Sequence, residues 1–247
     1  MISALAITYN EEQHIERFIK DLSFADEIII VDSNSTDRTV TIAETLGAKV
    51  VVRDFDNFSS QKNFAISLAT HDWIVFFDAD EAVSPELAKE IQSKIGHNNA
   101  NAYKAKRHIH FMGKRIKYSG FQNDAVVRAF RKGTGKYNGS LVHETLEVEG
   151  KVEMLKNALE HYTYSSFDTY NEKLTHYAKL QATMLYDKKS RPNLYHFFVR
   201  PFWRFFHQYF VKLGILDGKE GFILAYLSAF AVFKRYLFLW TMYRNIS

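Results

Sequence analysis

The sequence predicts an α/β fold, a parallel sheet with helices on both faces. Three observations carry this. Branched apolar runs such as Ile28 to Val31 are unbroken by polar residues, as suits strands buried on both faces. Each run is followed by a stretch with apolar residues at helical spacing, and strand–helix alternation builds right-handed βαβ units. The chain has 247 residues, 47% hydrophobic and 24% charged, enough to bury one good core and carry a smaller appendage.

In order, Ala4 to Thr8 reads as the first strand, and Asn10 is placed to cap a helix whose Ile15, Phe18, Ile19 and Leu22 share a face. Glu27 to Val31 is the second strand. The next helix runs through Val40, Ile42, Ala43 and Leu46, and Gly47 can end it in a left-handed turn. Ala48 to Val52 is the third strand, "FSSQKNFAISLA" a helix with Phe64, Ala65 and Leu68 on one side, and Trp73 to Phe77 the fourth strand. Ser84 and Pro85 suit the start of a further helix and Gly96 its end. Residues 102 to 155 change character: "AYKAKRHIHFMGKRIKY" and "AVVRAF" alternate between Gly-containing turns, as antiparallel strands do. From about Phe167 the pattern is helical again, so the expected division is one domain over 1–164 and a helical region over 165–247.

Composition excludes some chemistry. With no cysteine there are neither disulfides nor thiolate metal sites. The first residues lack the basic stretch of a signal peptide, so the fold is expected to open at residue one. A net charge of +4 with 15% aromatics suits anionic partners without choosing among nucleotide, phospholipid and nucleic acid. No Gly-x-Gly-x-x-Gly follows the first strand and no Gly-x4-Gly-Lys-Ser/Thr occurs, which removes the main support for dinucleotide and P-loop sites.

Ligands of open parallel sheets bind beyond the carboxyl ends of the strands. Here those ends are polar: Thr8, Asn10 and Glu11 after the first strand, Asp32 and Ser33 after the second, Asp78 to Glu81 after the fourth. In "FFDADE" two carboxylates one residue apart can share a hard divalent cation, Mg²⁺ or Mn²⁺, that keeps positions open for phosphate oxygens.

The series "ITYNEE", "IIIVDSNSTDRT", "SSQKNFA" and "WIVFFDADE" resembles the nucleotide-sugar half of family-2 glycosyltransferases with the GT-A fold, over roughly the first 95 residues. "GFQNDAVVRAFRK", "LVHE", "LEHYTY" and "GILDGKEGF" resemble a bacterial subgroup that includes lipopolysaccharide-core glucosyltransferases. Phe121-Gln122-Asn123-Asp124 departs from the aromatic-rich loop of typical subgroup members. The resemblance implies a GT-A type, Rossmann-like mixed sheet flanked by helices, with 1–164 as catalytic domain and 165–247 as a membrane-proximal extension. It implies metal-assisted, inverting transfer from a nucleoside-diphosphate sugar, a UDP-sugar by expectation, to a glycan or glycolipid acceptor. Thr8, Asn10 and Glu11 would line the nucleoside pocket, Asp32 would face base or ribose, and Lys62 would approach the diphosphate or base. Asp78 would contact ribose or metal-bound water, Asp80 would ligate Mn²⁺ or Mg²⁺, and His161 would complete the metal site. Glu144 and Asp124 compete for the base, and Arg128 and Arg131 would guide a phosphorylated acceptor.

"LYHFFVRPFWRFFHQYFVKLG" mixes aromatics with Arg200, Arg204 and Lys212 and holds no acid. The uncharged run Gly221 to Phe233 is shorter than the ~20 residues of a spanning helix. The expectation is therefore a helix lying in the interface, with packing against the catalytic domain as the alternative, and a cytoplasmic protein peripheral to the inner face of the cell membrane, with no nucleic-acid partner. A nucleotidyltransferase, or a non-catalytic membrane-docked nucleotide-sugar binding protein, are the alternatives; against the first, "TYNEE" stands where a Gly-rich phosphate loop belongs.

Overall fold

Residues 1–97, 99–139, 144–164 and 166–246 are described by a computed structural model. Its strands and helices follow the apolar periods. β1 (Ile2–Thr8), β2 (Glu27–Asp32), β3 (Lys49–Val52) and β4 (Trp73–Phe76) alternate with α1 (Ile15–Asp21), α2 (Thr39–Thr45) and α3 (Phe58–Leu68). Then come β5 (Glu81–Ala82), α4 (Pro85–His97), β6 (Ala102–Phe111), β7 (Lys114–Ile116), β8 (Ala125–Arg131), β9 (Gly135–Tyr137), β10 (Leu146–Val148), β11 (Val152–Met154) and β12 (Leu159–Tyr164). α5 (Phe167–Asp187), α6 (Arg200–Phe206) and α7 (Lys219–Arg244) end the chain.

Two compact units form, Met1–Arg107 with Asp124–His161, and His108–Asn123 with Tyr162–Ser247. The second thus joins the segment 108–123 to the C-terminal helices, an arrangement that a single linear boundary does not describe.

In the first unit β3, β2, β1 and β4 are parallel neighbours, β8 continues the sheet antiparallel to β4, and β6 follows antiparallel to β8. Ile29, Ile30 and Val31 are fully buried because both faces are covered. Ala4, Ala6 and Ile30 pack with Phe18 and Leu22 of the α1 layer; Leu5, Ile29 and Val31 turn to Ala65 of α3. That is the two-residue alternation of a strand. The register sets Thr8 beside Asp32 and Asp32 beside Val52, so the carboxyl ends lie level. Gly47 ends α2 at φ +83° as expected, and Ser84 accepts from the Leu87 amide at 3.2 Å to start α4. Two caps differ. Gly96 lies inside α4, which runs to His97, and α1 starts after His14 with no side-chain cap. Asn10 is left-handed instead (φ 55°) and spends its side chain elsewhere. On α4, Glu90 accepts from the amides of Lys156 and Asn157 at 2.7 and 2.9 Å and so fixes the turn before β12.

The second unit pairs β7 with the end of β6, Ile109 opposite Ile116. Phe111 and Ile116 pack with Tyr170 of α5 and Leu224 of α7; further along, Ala182 meets Val232, Tyr236 and Leu239. π-helical turns, Tyr195–Val199 and His207–Val211, flank α6. The first wide turn precedes Pro201, whose missing N–H and ring would break an α-turn. Among the described residues one helix, α7, is long and apolar enough to cross a membrane by length and composition. Its start is tied down by "GILDGKEGF". Asp217, 5% exposed, accepts from the Lys117 and Tyr118 amides at 2.9 and 3.1 Å and from the Ser119 hydroxyl at 2.7 Å. A Cβ on Gly221 would lie 1.9 Å from the Gly214 carbonyl oxygen, so only glycine fits there.

Candidate active site

The site is built in the first unit at the carboxyl edge of the parallel strands. The loops after β1 and β2 are stitched together. Asp32, fully buried, accepts from Thr8 Oγ1 at 2.8 Å, from the Ser35 amide at 2.7 Å and from Ser35 Oγ at 2.6 Å. Asn10 accepts from the Thr36 amide at 2.8 Å, and the Glu11 amide donates to Thr39 Oγ1 at 2.7 Å. Asp32 was expected to face base or ribose; here both its oxygens serve the loop. Part of the polar cluster 32–37 therefore acts as mutual loop anchoring, with Asp37 accepting from the first amide of α2 at 2.9 Å.

A second assembly centres on Asp78, Asp80 and Glu81. β4 delivers them, and the turn is closed by the Glu81 amide donating to the Asp78 carbonyl at 2.9 Å and the Asp78 amide donating to Glu81 Oε2 at 3.0 Å. β12 pairs antiparallel with β5, His161 opposite Glu81. That register brings a histidine 81 residues away to Asp80, Nε2 to Oδ2 at 3.2 Å. Arg128 reaches in from β8, its Nη2 2.5 Å from both Asp78 and Glu81. Lys62 on α3 places Nζ 2.9 Å from Glu144, 3.6 Å from Asp78 and 5.1 Å from the centre of the Tyr137 ring. Asn63, the next residue, holds β9 by a paired amide contact, donating to the Tyr137 carbonyl at 3.0 Å and accepting from its amide at 2.9 Å. It thereby holds β9, the strand partner of β10, which follows Glu144. The rest of "LVHE", Leu141 to His143, lies outside the described residues.

Charge sets the electrostatics. Burial pushes the Asp78 carboxyl up, but Arg128, Lys62 and His161 outweigh it and hold it well below the usual carboxylate range. Burial also opposes the charges of Lys62 and Arg128, yet their acidic neighbours raise both above ordinary values. Glu81 moves the other way, pushed up by burial and by Asp78 against the pull of Arg128.

The candidate metal ligands are Asp80 and His161. A carboxylate oxygen and the Nε2 of an imidazole meeting at 3.2 Å suit Mn²⁺ or Mg²⁺, which would take the place of the hydrogen bond between them. Asp78 is committed to Arg128 and Lys62. Among the described residues no three His, Asp or Glu side chains gather as a ready-made cage. Two protein ligands leave the remaining positions to water and ligand oxygens, the usual arrangement of a phosphate-linked cation.

Other expected residues are engaged by protein partners. Asp124 is clamped by Arg107, two contacts of 2.9 Å. Arg128, 4% exposed, faces Asp78 and Glu81 and offers no surface to an acceptor phosphate. Arg131 pairs with Trp73, at the end of β4 away from Asp78, and lies over the Trp73 ring, so it is not brought to the site. The sequence pattern gives no role to Arg107, Tyr137 or Asn63, and marks Glu81 only as part of a polar strand end. Asn63 sits in the quoted "SQKNFA" and Glu81 in "DADE", so position alone marks those two.

Residues 3–146 match the family model described as Glycosyl transferase family 2. An uncharacterized glycosyltransferase of Rickettsia felis is 34% identical over 95% of this chain and 87% of its own length. The lipopolysaccharide core biosynthesis glycosyltransferase LpsC of Rhizobium meliloti is 25% identical over 95% of this chain and 93% of its own. The solved structure of Staphylococcus aureus TarS 1-349 in complex with UDP superposes over all of this chain and 92% of that one, with TM-score 0.52 at 17% identity. The fold is of GT-A type. On the extent of the family match and of the relatives, the chain belongs to glycosyl transferase family 2.

Proposed function

We propose that this chain transfers a sugar, with inversion, from a UDP-sugar to a lipopolysaccharide-core or other cell-envelope glycan. The observation that carries the reading is the gathering of Asp80 with His161, and of Lys62 with Asp78 and Glu144, at the sheet edge where such folds take nucleotides. The names of two relatives support its finer parts: LpsC is called a lipopolysaccharide core glycosyltransferase, and TarS was crystallised with UDP.

In this mechanism an acceptor hydroxyl attacks the anomeric carbon from the face opposite the nucleoside diphosphate, which leaves with the electron pair of the broken C–O bond. Glu144 takes the hydroxyl proton, a role typically worth about 10²–10⁴-fold. Lys62 orients Glu144 through its 2.9 Å ion pair and brings a positive charge beside Asp78. Asp80 and His161 would hold a divalent cation, whose chemistry there is Lewis-acid stabilisation of the leaving diphosphate. Asp124, clamped by Arg107, is the second candidate base.

The chain is further placed at the cytoplasmic face of the cell membrane, docked by its C-terminal helices. Phe198, Phe202 and Trp203 are 69, 67 and 58% exposed, a stripe that suits the acyl boundary. Lying in the interface is favoured over spanning: at the middle of α7 the Lys234 ammonium donates to Asn171 and Thr175 of α5 at 2.9 and 2.7 Å, and Leu224, Tyr236 and Leu239 face protein.

Calorimetry with UDP, GDP, dTDP and ADP, with and without Mn²⁺, followed by transfer assays on core-truncated lipopolysaccharide, tests the enzyme reading. UDP binding strengthened by Mn²⁺ is expected; a protein that binds none of the four sinks it.

A further inference from the structure

The buried charges do more than line a pocket: they alternate. Glu144 meets Lys62, Lys62 meets Asp78, Asp78 meets Arg128, and Arg128 meets Glu81. Glu81 is the innermost member, with no exposed surface. Its Oε1 lies 2.5 Å from Arg128 and 3.9 Å from Arg107, while its Oε2 accepts the Asp78 amide. Its own amide closes the same turn, and its strand partner is His161. One residue therefore touches, with its side chain, the guanidinium that holds Asp78 and the turn that presents Asp80, and with its backbone pairs the strand that carries His161.

Stability alone does not explain such a residue. Burying an ion pair costs desolvation that its Coulomb attraction often fails to repay, and apolar replacements of similar shape are frequently as stable. Fixed charges earn their place where they hold reacting groups in a preset field. Resting on the donor-site reading above, we infer that Glu81 is a positioning residue: through Arg128 and the Asp78–Glu81 turn it sets the orientation of Asp78 and Asp80 toward a nucleoside diphosphate. It does not itself touch the ligand. Supporting groups one layer out from a metal typically change affinity or activity about 10–100-fold when removed.

Glu81→Gln keeps the shape and removes the charge. Arg128 and the Asp78 amide donate to different carboxylate oxygens, and in Gln one of these becomes an NH2 that faces a donor, so the turn and the guanidinium lose their common tether. The test uses the full chain, with UDP and Mn²⁺ as probes and the melting temperature measured alongside. Glu90→Gln, altered on α4 away from these groups, is the control for a merely structural carboxylate. The expected result is a UDP dissociation constant in Mn²⁺ raised about 10–100-fold in Glu81→Gln, and unchanged in Glu90→Gln even where that variant melts earlier. A folded Glu81→Gln that binds UDP as wild type does overturns the inference. Should Glu81→Gln not fold, Glu81→Asp decides, since it keeps the charge and shortens the reach: weaker UDP binding at an unchanged melting temperature supports the positioning role, and unchanged binding overturns it. Wild-type protein that binds none of the four nucleotides defeats the donor reading first, and this inference with it.

Discussion

In the first unit Glu81, Arg128 and Lys62 are withdrawn from water although each carries charge, whereas in the second Phe198, Phe202 and Trp203 stand in it although each is apolar. Both arrangements run against the ordinary sorting of residues, in which charges stay outside and large aromatics go in. Each costs free energy when the protein stands alone in water. The cost of buried charge is offset locally by counter-charges already in place, as Arg128 shows between Asp78 and Glu81. The cost of exposed aromatics has no such offset on the stripe, which is why an apolar surface outside the chain is the natural complement. The contrast teaches where to look for each kind of function: chemistry where charges are paired in the dark, association where rings are left in the light.

Breaking the first half of the comparison has the largest expected effect. Asp80→Ala should lower transfer by about 10³-fold or more and remove the Mn²⁺ enhancement of UDP binding, with little change in melting temperature, because a turn carboxylate contributes little to the core; near-wild-type turnover in Mn²⁺ would exclude Asp80 as ligand. Glu144→Gln should cost about 10²–10⁴-fold in turnover while UDP affinity holds. Asp124→Asn should chiefly weaken acceptor use. If Asp124→Asn is the inactive variant and Glu144→Gln turns over normally, the two acids exchange roles.

The aromatic half responds to a different assay. Phe202→Ser combined with Trp203→Ser should reduce flotation with anionic liposomes about tenfold or more, by removing roughly 1.5–3 kcal/mol of insertion per ring, and leave transfer to a soluble acceptor unchanged. Liposome binding that persists after both substitutions and vanishes in high salt would mean that cations, not rings, dock the chain. Arg200 is a poor probe of that alternative, because its guanidinium donates to Tyr236 at 2.6 Å and is already engaged.

Smaller and purely structural effects calibrate the rest. Asp217→Ala should destabilise the protein by about 2–3 kcal/mol, since it strands two amides and a hydroxyl; denaturant melts read this directly. Glu90→Gln should cost about 1 kcal/mol near neutral pH. Its pH dependence has a definite sign. Burial raises the Glu90 carboxyl, but the Lys156 and Asn157 donors outweigh burial and hold it below its ordinary value. A depressed carboxyl stabilises above its unfolded value near 4.3 and loses that contribution as pH falls through the folded one. The gap between wild type and Glu90→Gln should thus be constant above about pH 5 and close below about pH 4; a gap that widens in acid contradicts the assignment.

Which parts of this were legible in the chain follows from the range of each interaction. β2 and β4 could be read because burial on both faces writes itself locally, as Ile28 to Val31 and Trp73 to Phe77. Loop residue types were legible but their partners were not. Asn10 looks like a helix cap, and only the approach of the second loop turns it to Thr36; Asp32 looks free for a ligand until Thr8 and Ser35 arrive. The Arg128 to Glu81 pair joins positions 47 residues apart, and nothing near either announces the other. Nor does spacing on β8 sort Arg128 from Arg131: β8 is bulged at Arg128, opposite the step from Tyr103 to Lys104, and Val127 and Phe130, also three residues apart, pack in one cluster, so simple alternation does not hold there.

Gly221 gives the second unit a fixed phase. Because no side chain can stand between it and the Gly214 carbonyl, α7 cannot be slid or turned about its axis at that end. An α-helix advances about 100° per residue, so a single residue inserted between Gly221 and Leu224 would rotate everything beyond it by that angle. Leu224, Tyr236 and Leu239 would swing out of the interior and Phe230 and Trp240 would change sides. One glycine at the root of a 26-residue helix therefore decides which of its faces meets protein and which is offered outward, all the way to Arg244.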